Sequence, residues 1–303
     1  MARINQLKTL ALLALMSGLI VFAGYLLVGN EQGLYYGLAF AAFGSFSSWY
    51  YSDRAALAAF KAKPTPREEA PELYGRIEKM CDRADLPNPK LYIVPSESPN
   101  AFATGRDPEH AAIALTEGII DLLPADELDA VIAHELTHVR NRDTLTQAVA
   151  GTLSSSLTYL GRILTIGALY FPVARIGRRG NNPLAILFLL VIGPFIAGLL
   201  RMAISRTREY AADEGAAEIT GNPLALVRAL EKLEAMGQEV PIHGNPAFAP
   251  LFIVNPLSKD GLMKLFLTHP PTEDRIERLK ALATKIDQPK LSVETSQKLS
   301  PAA

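Results

Sequence analysis

The sequence predicts a mainly α-helical protein with a small β-sheet, carried on about four helices of membrane-spanning length. Three observations predict it. Two uncharged apolar runs open the chain at 9–28 and 33–51, and a less uniform apolar hairpin occupies 148–200. Short strand-like segments cluster between 91 and 115. Amphipathic helical stretches make up most of the rest.

The first run, TLALLALMSGLIVFAGYLLV, is long enough to cross roughly 30 Å of hydrocarbon. A second apolar run follows four residues later, and no small-residue cleavage site is clear, which argues against a signal peptide. The second run ends in Trp49, Tyr50 and Tyr51, suited to a membrane–water boundary. Gly33 and Gly37 have the spacing that lets two helices approach closely. Within 148–200, Arg162 and Pro194 interrupt the apolar character, so two helices buried in protein or lying in the interface are the alternative there.

Orientation follows from Lys and Arg near the span ends. Arg3 and Lys8 precede the first run, the loop at 29–32 has no cation, and Arg54, Lys61, Lys63 and Arg67 follow the second. The expectation is a multi-pass protein of the inner or cell membrane whose remaining parts face the cytoplasm. Arg175, Arg178 and Arg179, between the third and fourth segments, oppose that pattern.

Outside the spans, 64–72 is rich in Pro and charge and reads as a linker. Helical periodicity runs over 73–84 through Leu73, Ile77, Met80 and Cys81. Residues 91–94, 100–105 and 111–115 read as strands. A long helix starts at Pro124-Ala125-Asp126-Glu127 and carries the stripe Leu128, Val131, Ile132 and Leu136. Helices follow at 201–219, 223–236 and 272–284, the last with Thr272 as a suitable N-cap. The predicted organisation is an N-terminal membrane hairpin (1–52), a first soluble part (53–147), a second hairpin (148–200), a second soluble part (201–285) and a flexible tail (286–303).

The chain has 30 Lys and Arg against 31 Asp and Glu, a balance that excludes a basic nucleic-acid binder. One cysteine, Cys81, excludes an internal disulfide and a CxxC metal site. Two of only five histidines fall in His134-Glu135-Leu136-Thr137-His138, inside the long helix. The spacing places both imidazoles on one helix face, where they can hold one zinc ion, with Glu135 as general base for a metal-activated water. A catalytic zinc needs a third protein ligand. His110 and His243 qualify by residue type alone. Glu209 shares a helix face with Asp213, so it could ligate the metal while Asp213 orients a ligand imidazole. Pairing of Glu209 with Arg206 and Arg208 on a charged face is an equally good reading of the spacing.

HELTHVRNRD, the second apolar hairpin, SRTREYAADEGA and THPPTEDRI, in that order, resemble the HtpX-type membrane zinc endopeptidases, relatives of the CAAX prenyl endopeptidases. The resemblance runs from the first span to about residue 280. It implies a zincin-like (gluzincin) domain, and one Zn2+ per chain held by His134, His138 and Glu209. It also implies Asp213 behind a ligand and Glu135 in catalysis. His269 is implied as an active-site histidine helping to stabilise the oxyanion, with Arg275 nearby. Asn100, Ala101 and Phe102 match the family's substrate-binding edge strand, which would hold an extended peptide by main-chain hydrogen bonds. The implied activity is cleavage of misfolded or damaged membrane polypeptides, with the lipid bilayer as the other partner. A membrane zinc-binding scaffold or sensor without catalysis, and a transporter, are the alternatives; an intact Glu135 argues against the first, and uncharged runs at 9–28 and 33–51 against the second.

Overall fold

The computed structural model describes residues 30–146, 206–237, 253 and 270–287, with scattered positions between 7 and 25. The expected hairpin at 148–200, His269, and the tail beyond residue 287 lie outside the described residues.

The described positions between Leu7 and Tyr25 are helical and run beside α1 (Glu31–Ala59). Asn30 caps α1, its side chain accepting from the Gln32 amide at 3.0 Å. The glycine spacing does what it predicts. A Cβ at Gly33 would overlap the Gly24 carbonyl, and one at Gly37 would overlap the Val21 backbone. Ser17 and Ser45 hydroxyls meet across the same contact at 3.0 Å. Tyr35, Leu38, Phe40, Phe43 and Phe46 point outward and are exposed. Among the described residues no helix is long and apolar enough to cross a membrane. The spans of the sequence reading are therefore not established by the fold: α1 has the length, but Gly, Ser and Tyr dilute its apolar character.

The sheet is mixed, in the order β1-β2-β4-β3. Its strands are β1 (Lys63–Pro64), β2 (Lys90–Val94), β3 (Ala101–Thr104) and β4 (Ala112–Thr116). β2 and β4 are parallel; β1 on β2 and β3 on β4 are antiparallel. The start of the predicted linker is thus an edge strand, with Thr65 donating its amide to Leu91 at 3.0 Å.

Alternation along the strands feeds two apolar layers. Leu91, Ala101, Ala103, Ile113 and Leu115 face the main core, which they share with α2 (Pro71–Ala84), α3 (Glu117–Leu122) and α4 (Ala125–Arg140). α5 (Arg206–Thr220), α6 (Pro223–Gly237) and α7 (Thr272–Asp287) complete that core. Val94, Phe102, Ala112 and Ala114 face the other way, onto Ala56 and Leu57 at the end of α1. Phe60 and Phe102 pack with ring centroids 4.9 Å apart. α4 lies at the centre, buried nearly all round from Glu127 to Val139, which is why it reads as more than a one-sided amphipathic helix.

Candidate metal centre

α4 presents His134 and His138 one turn apart on one face, both buried. α5 crosses it at close range because Gly215 lacks a side chain: a Cβ there would overlap Thr137 and come within 2.9 Å of the Arg140 guanidinium. Arg140 pairs with Glu218 at 3.1 Å along the same contact. This crossing brings Glu209 over the two imidazoles. The His134 and His138 Nε2 atoms are 3.2 Å apart, and each lies 3.6 Å from an oxygen of Glu209. The three ligating atoms fall within 4.8 Å of one another, all buried.

These separations fit one tetrahedral ion. Bonds of about 2.0–2.1 Å place neighbouring ligand atoms roughly 3.3 Å apart. The chemistry of the donor set agrees, because each imidazole has its other nitrogen occupied. His134 Nδ1 is 3.1 Å from Asp213 Oδ1, and His138 Nδ1 is 3.0 Å from Asp143 Oδ2. A carboxylate at Nδ1 holds the proton there and turns the Nε2 lone pair inward.

Asp213 is itself gripped by Arg275, Nε to Oδ2 at 2.9 Å and Nη2 to Oδ1 at 2.6 Å. Burial opposes the charge on Asp213, but Arg275 and His134 hold its carboxyl below the usual carboxylate range. Arg275 also approaches Glu209 Oε2 at 3.8 Å and donates to the Ile253 carbonyl at 3.2 Å. Burial likewise opposes protonation of His134, yet hydrogen bonds accepted by Asp213 and Glu209 raise its pKa to about 9.

Glu135 follows His134 on α4 and turns toward the sheet, where its Oε2 accepts the Ala103 amide at 2.8 Å. Burial pushes its carboxyl upward, so it holds a proton more readily than a surface glutamate. Glu135 and the β3 edge strand are therefore joined by a hydrogen bond.

The other sequence-predicted residues divide clearly. Asn100, Ala101 and Phe102 do lie on and beside an edge strand next to α4, and all three are buried. Asn100 accepts the Ile253 amide at 3.2 Å, and Phe102 points into the α1 layer. Any contact of these residues with a peptide would thus run through the main chain. Arg275, expected near substrate, is 1% exposed and engaged with Asp213. His110 is exposed and pairs with Asp107 at 2.6 Å, outside the cluster. His243 lies outside the described residues. Asp143 was not singled out by sequence reasoning; its signal was its place five residues beyond His138, in HELTHVRNRD.

Residues 67–283 match peptidase family M48. A protease HtpX homolog of Nostoc punctiforme is 49% identical over 282 residues, covering 93% of this chain and 98% of its own. A protease HtpX homolog of Pyrococcus furiosus is 44% identical over 280 residues, covering 92% and 96%. The crystal structure of S. mikatae Ste24p superimposes with a TM-score of 0.51 at 20% identity, covering 91% of this chain. The chain spans 65% of the length of that protein, and the likeness is one of fold.

Proposed function

The chain belongs to peptidase family M48, and from that premise we propose that it is a membrane-anchored zinc endopeptidase of the HtpX type. It is a metalloprotease, and a protease acts on polypeptides. The observation that carries the proposal is the meeting of His134, His138 and Glu209 from two helices, each imidazole backed by an aspartate.

In this reading those three residues hold the ion. When bound, zinc supplies a Lewis acid that polarises a carbonyl and acidifies water. Glu135 takes the proton of the attacking water and delivers it to the leaving nitrogen, a role that its burial-raised proton affinity favours. The Ala103 amide fixes Glu135 beside the β3 edge. Asn100 already bonds Thr116 through its N–H and C=O and Phe102 pairs with Ala114, so within the expected edge segment Ala101 is the residue whose backbone faces an extended substrate. Asp213 and Arg275 orient His134. His269 is assigned to oxyanion stabilisation on its place in THPPTEDRI, by resemblance.

The outward Tyr, Phe and Leu side chains of α1 and its close glycine packing support a hairpin (1–52) embedded in lipid. A second hairpin at 148–200 would divide the protease domain into 53–147 and 201–285. The pattern of Lys and Arg assigns that domain to the cytoplasmic side, and its substrates to membrane polypeptides that are misfolded or damaged. A non-catalytic scaffold finds no support, since zinc binding alone has no use for a buried Glu135.

The test is cleavage of casein by detergent-purified protein, wild type beside Glu135→Gln, with zinc and with a chelator. Activity confined to zinc-loaded wild type is expected. Equal activity in the two proteins would overturn the assignment of Glu135.

A further inference from the structure

The two imidazoles of the cluster are not backed alike. His134 is tied through Asp213 to Arg275 by two short hydrogen bonds. His138 is tied at 3.0 Å to Asp143, which is fully buried, and behind Asp143 stands a second buried guanidinium, Arg208. Arg208 Nη1 lies 3.6 Å from Asp143 Oδ1. Arg208 is 3% exposed, and its three nitrogens make no hydrogen bond among the described residues. A guanidinium kept out of water without hydrogen bonds is unfavourable unless neighbouring charge compensates it. The anions that act on it are Asp143 and Glu209, both belonging to the cluster.

We propose that Arg208 is a positioning residue for the ligand His138, acting through Asp143, as Arg275 acts on His134 through Asp213. The two oxygens of Asp143 divide the work: Oδ2 meets His138 and Oδ1 faces the cation. Arg208 thereby fixes the rotation of the carboxylate, and with it the imidazole plane and the direction of Nε2. α5 supplies Arg208, Glu209 and Asp213 within two turns, while Asp143 follows α4 and Arg275 comes from α7. One of the two even readings of the sequence paired Glu209 with Arg206 and Arg208 on a charged face; in the structure Arg208 is buried and faces Asp143 as well as Glu209.

The proposal rests on the metal-centre reading above. The experiment is zinc affinity of the purified full-length chain, by competition with a chromophoric chelator, for wild type, Arg208→Gln, Asp143→Asn and the double variant. A loss of about tenfold to a hundredfold is expected for each single variant. The double variant is expected to lose no more than Asp143→Asn alone, since one residue acts through the other. A loss of less than about tenfold for Arg208→Gln, or losses that add in the double variant, would overturn the proposal. If Arg208→Gln does not fold, Arg208→Lys decides: it keeps the charge facing Asp143, so affinity within about tenfold of wild type is expected. A loss of more than about tenfold in a folded Arg208→Lys, or a further loss when it is combined with Asp143→Asn, would overturn the proposal. Wild type that binds no zinc would instead sink the metal-centre reading, a distinct outcome.

Discussion

Glu135→Gln keeps the size of the side chain and its contact with the Ala103 amide but removes the carboxylate proposed as the base. Peptide cleavage should fall by about two to four orders of magnitude while zinc content stays unchanged, as rate and metal analysis on one preparation would show. Asp213→Asn should weaken zinc binding by about tenfold to a hundredfold in chelator competition, because His134 loses its anionic partner. Cys81 reports on the core instead. Burial pushes its thiol up to about 12, against about 8.5 in an unfolded chain. The folded state therefore keeps its proton while the unfolded chain loses it. The stability from the neutral thiol is complete below about pH 8.5 and is lost as pH rises toward 12. Alkylation at pH 9 should spare Cys81 in native protein and proceed in denaturant; equal rates would contradict its burial. At this scale the sequence was unevenly legible. A four-residue spacing on one helix exposes His134 and His138 directly. Glu209 stayed even by spacing, because its meeting with α4 depends on a crossing that no local pattern encodes. Asp143 escaped notice because it lies past the end of α4, where helical spacing says nothing. The left-handed backbone at Arg142 (φ 57°) accompanies the turn that brings Asp143 back to His138.

The crossing of α4 and α5 sets the cluster, and Gly215 sets the crossing. Gly215→Val should push the helices apart, destabilising the fold by about 1–3 kcal/mol and weakening metal binding together. Chemical denaturation beside chelator competition would show it, and a stable variant with normal affinity would contradict the account. Phe102→Ala should cost about 3–5 kcal/mol, since it empties the layer between β3 and the end of α1. Elements with a strong period were readable: α2, α4, α6 and the three longer strands lie within a few residues of their predicted bounds. Of the predicted linker only its first residue, Pro64, belongs to a strand, because Pro and charge signal a loop while an edge strand of two residues tolerates proline; 65–70 is free of helix and strand, as expected. Sheet order was not readable either. The β2–β4 pairing is parallel and skips β3, so it depends on contacts distant in sequence.

The described residues join a helix with an outward apolar face to a sheet whose other side packs the helices that carry His134, His138 and Glu209. The two regions meet at Phe60 and Phe102, and Phe102 sits one residue before the amide that holds Glu135. If the hairpin is the anchor, full-length protein should stay with membranes through an alkaline carbonate wash, and a chain lacking 1–52 should lose that retention. In the proposed function one metal ion sits among His134, His138 and Glu209. The most direct test is the zinc content per chain of purified protein, wild type beside Glu209→Gln. One zinc per wild-type chain and little or none in the variant is the predicted result. Equal zinc in both proteins would contradict it, because Glu209 would then not be a ligand.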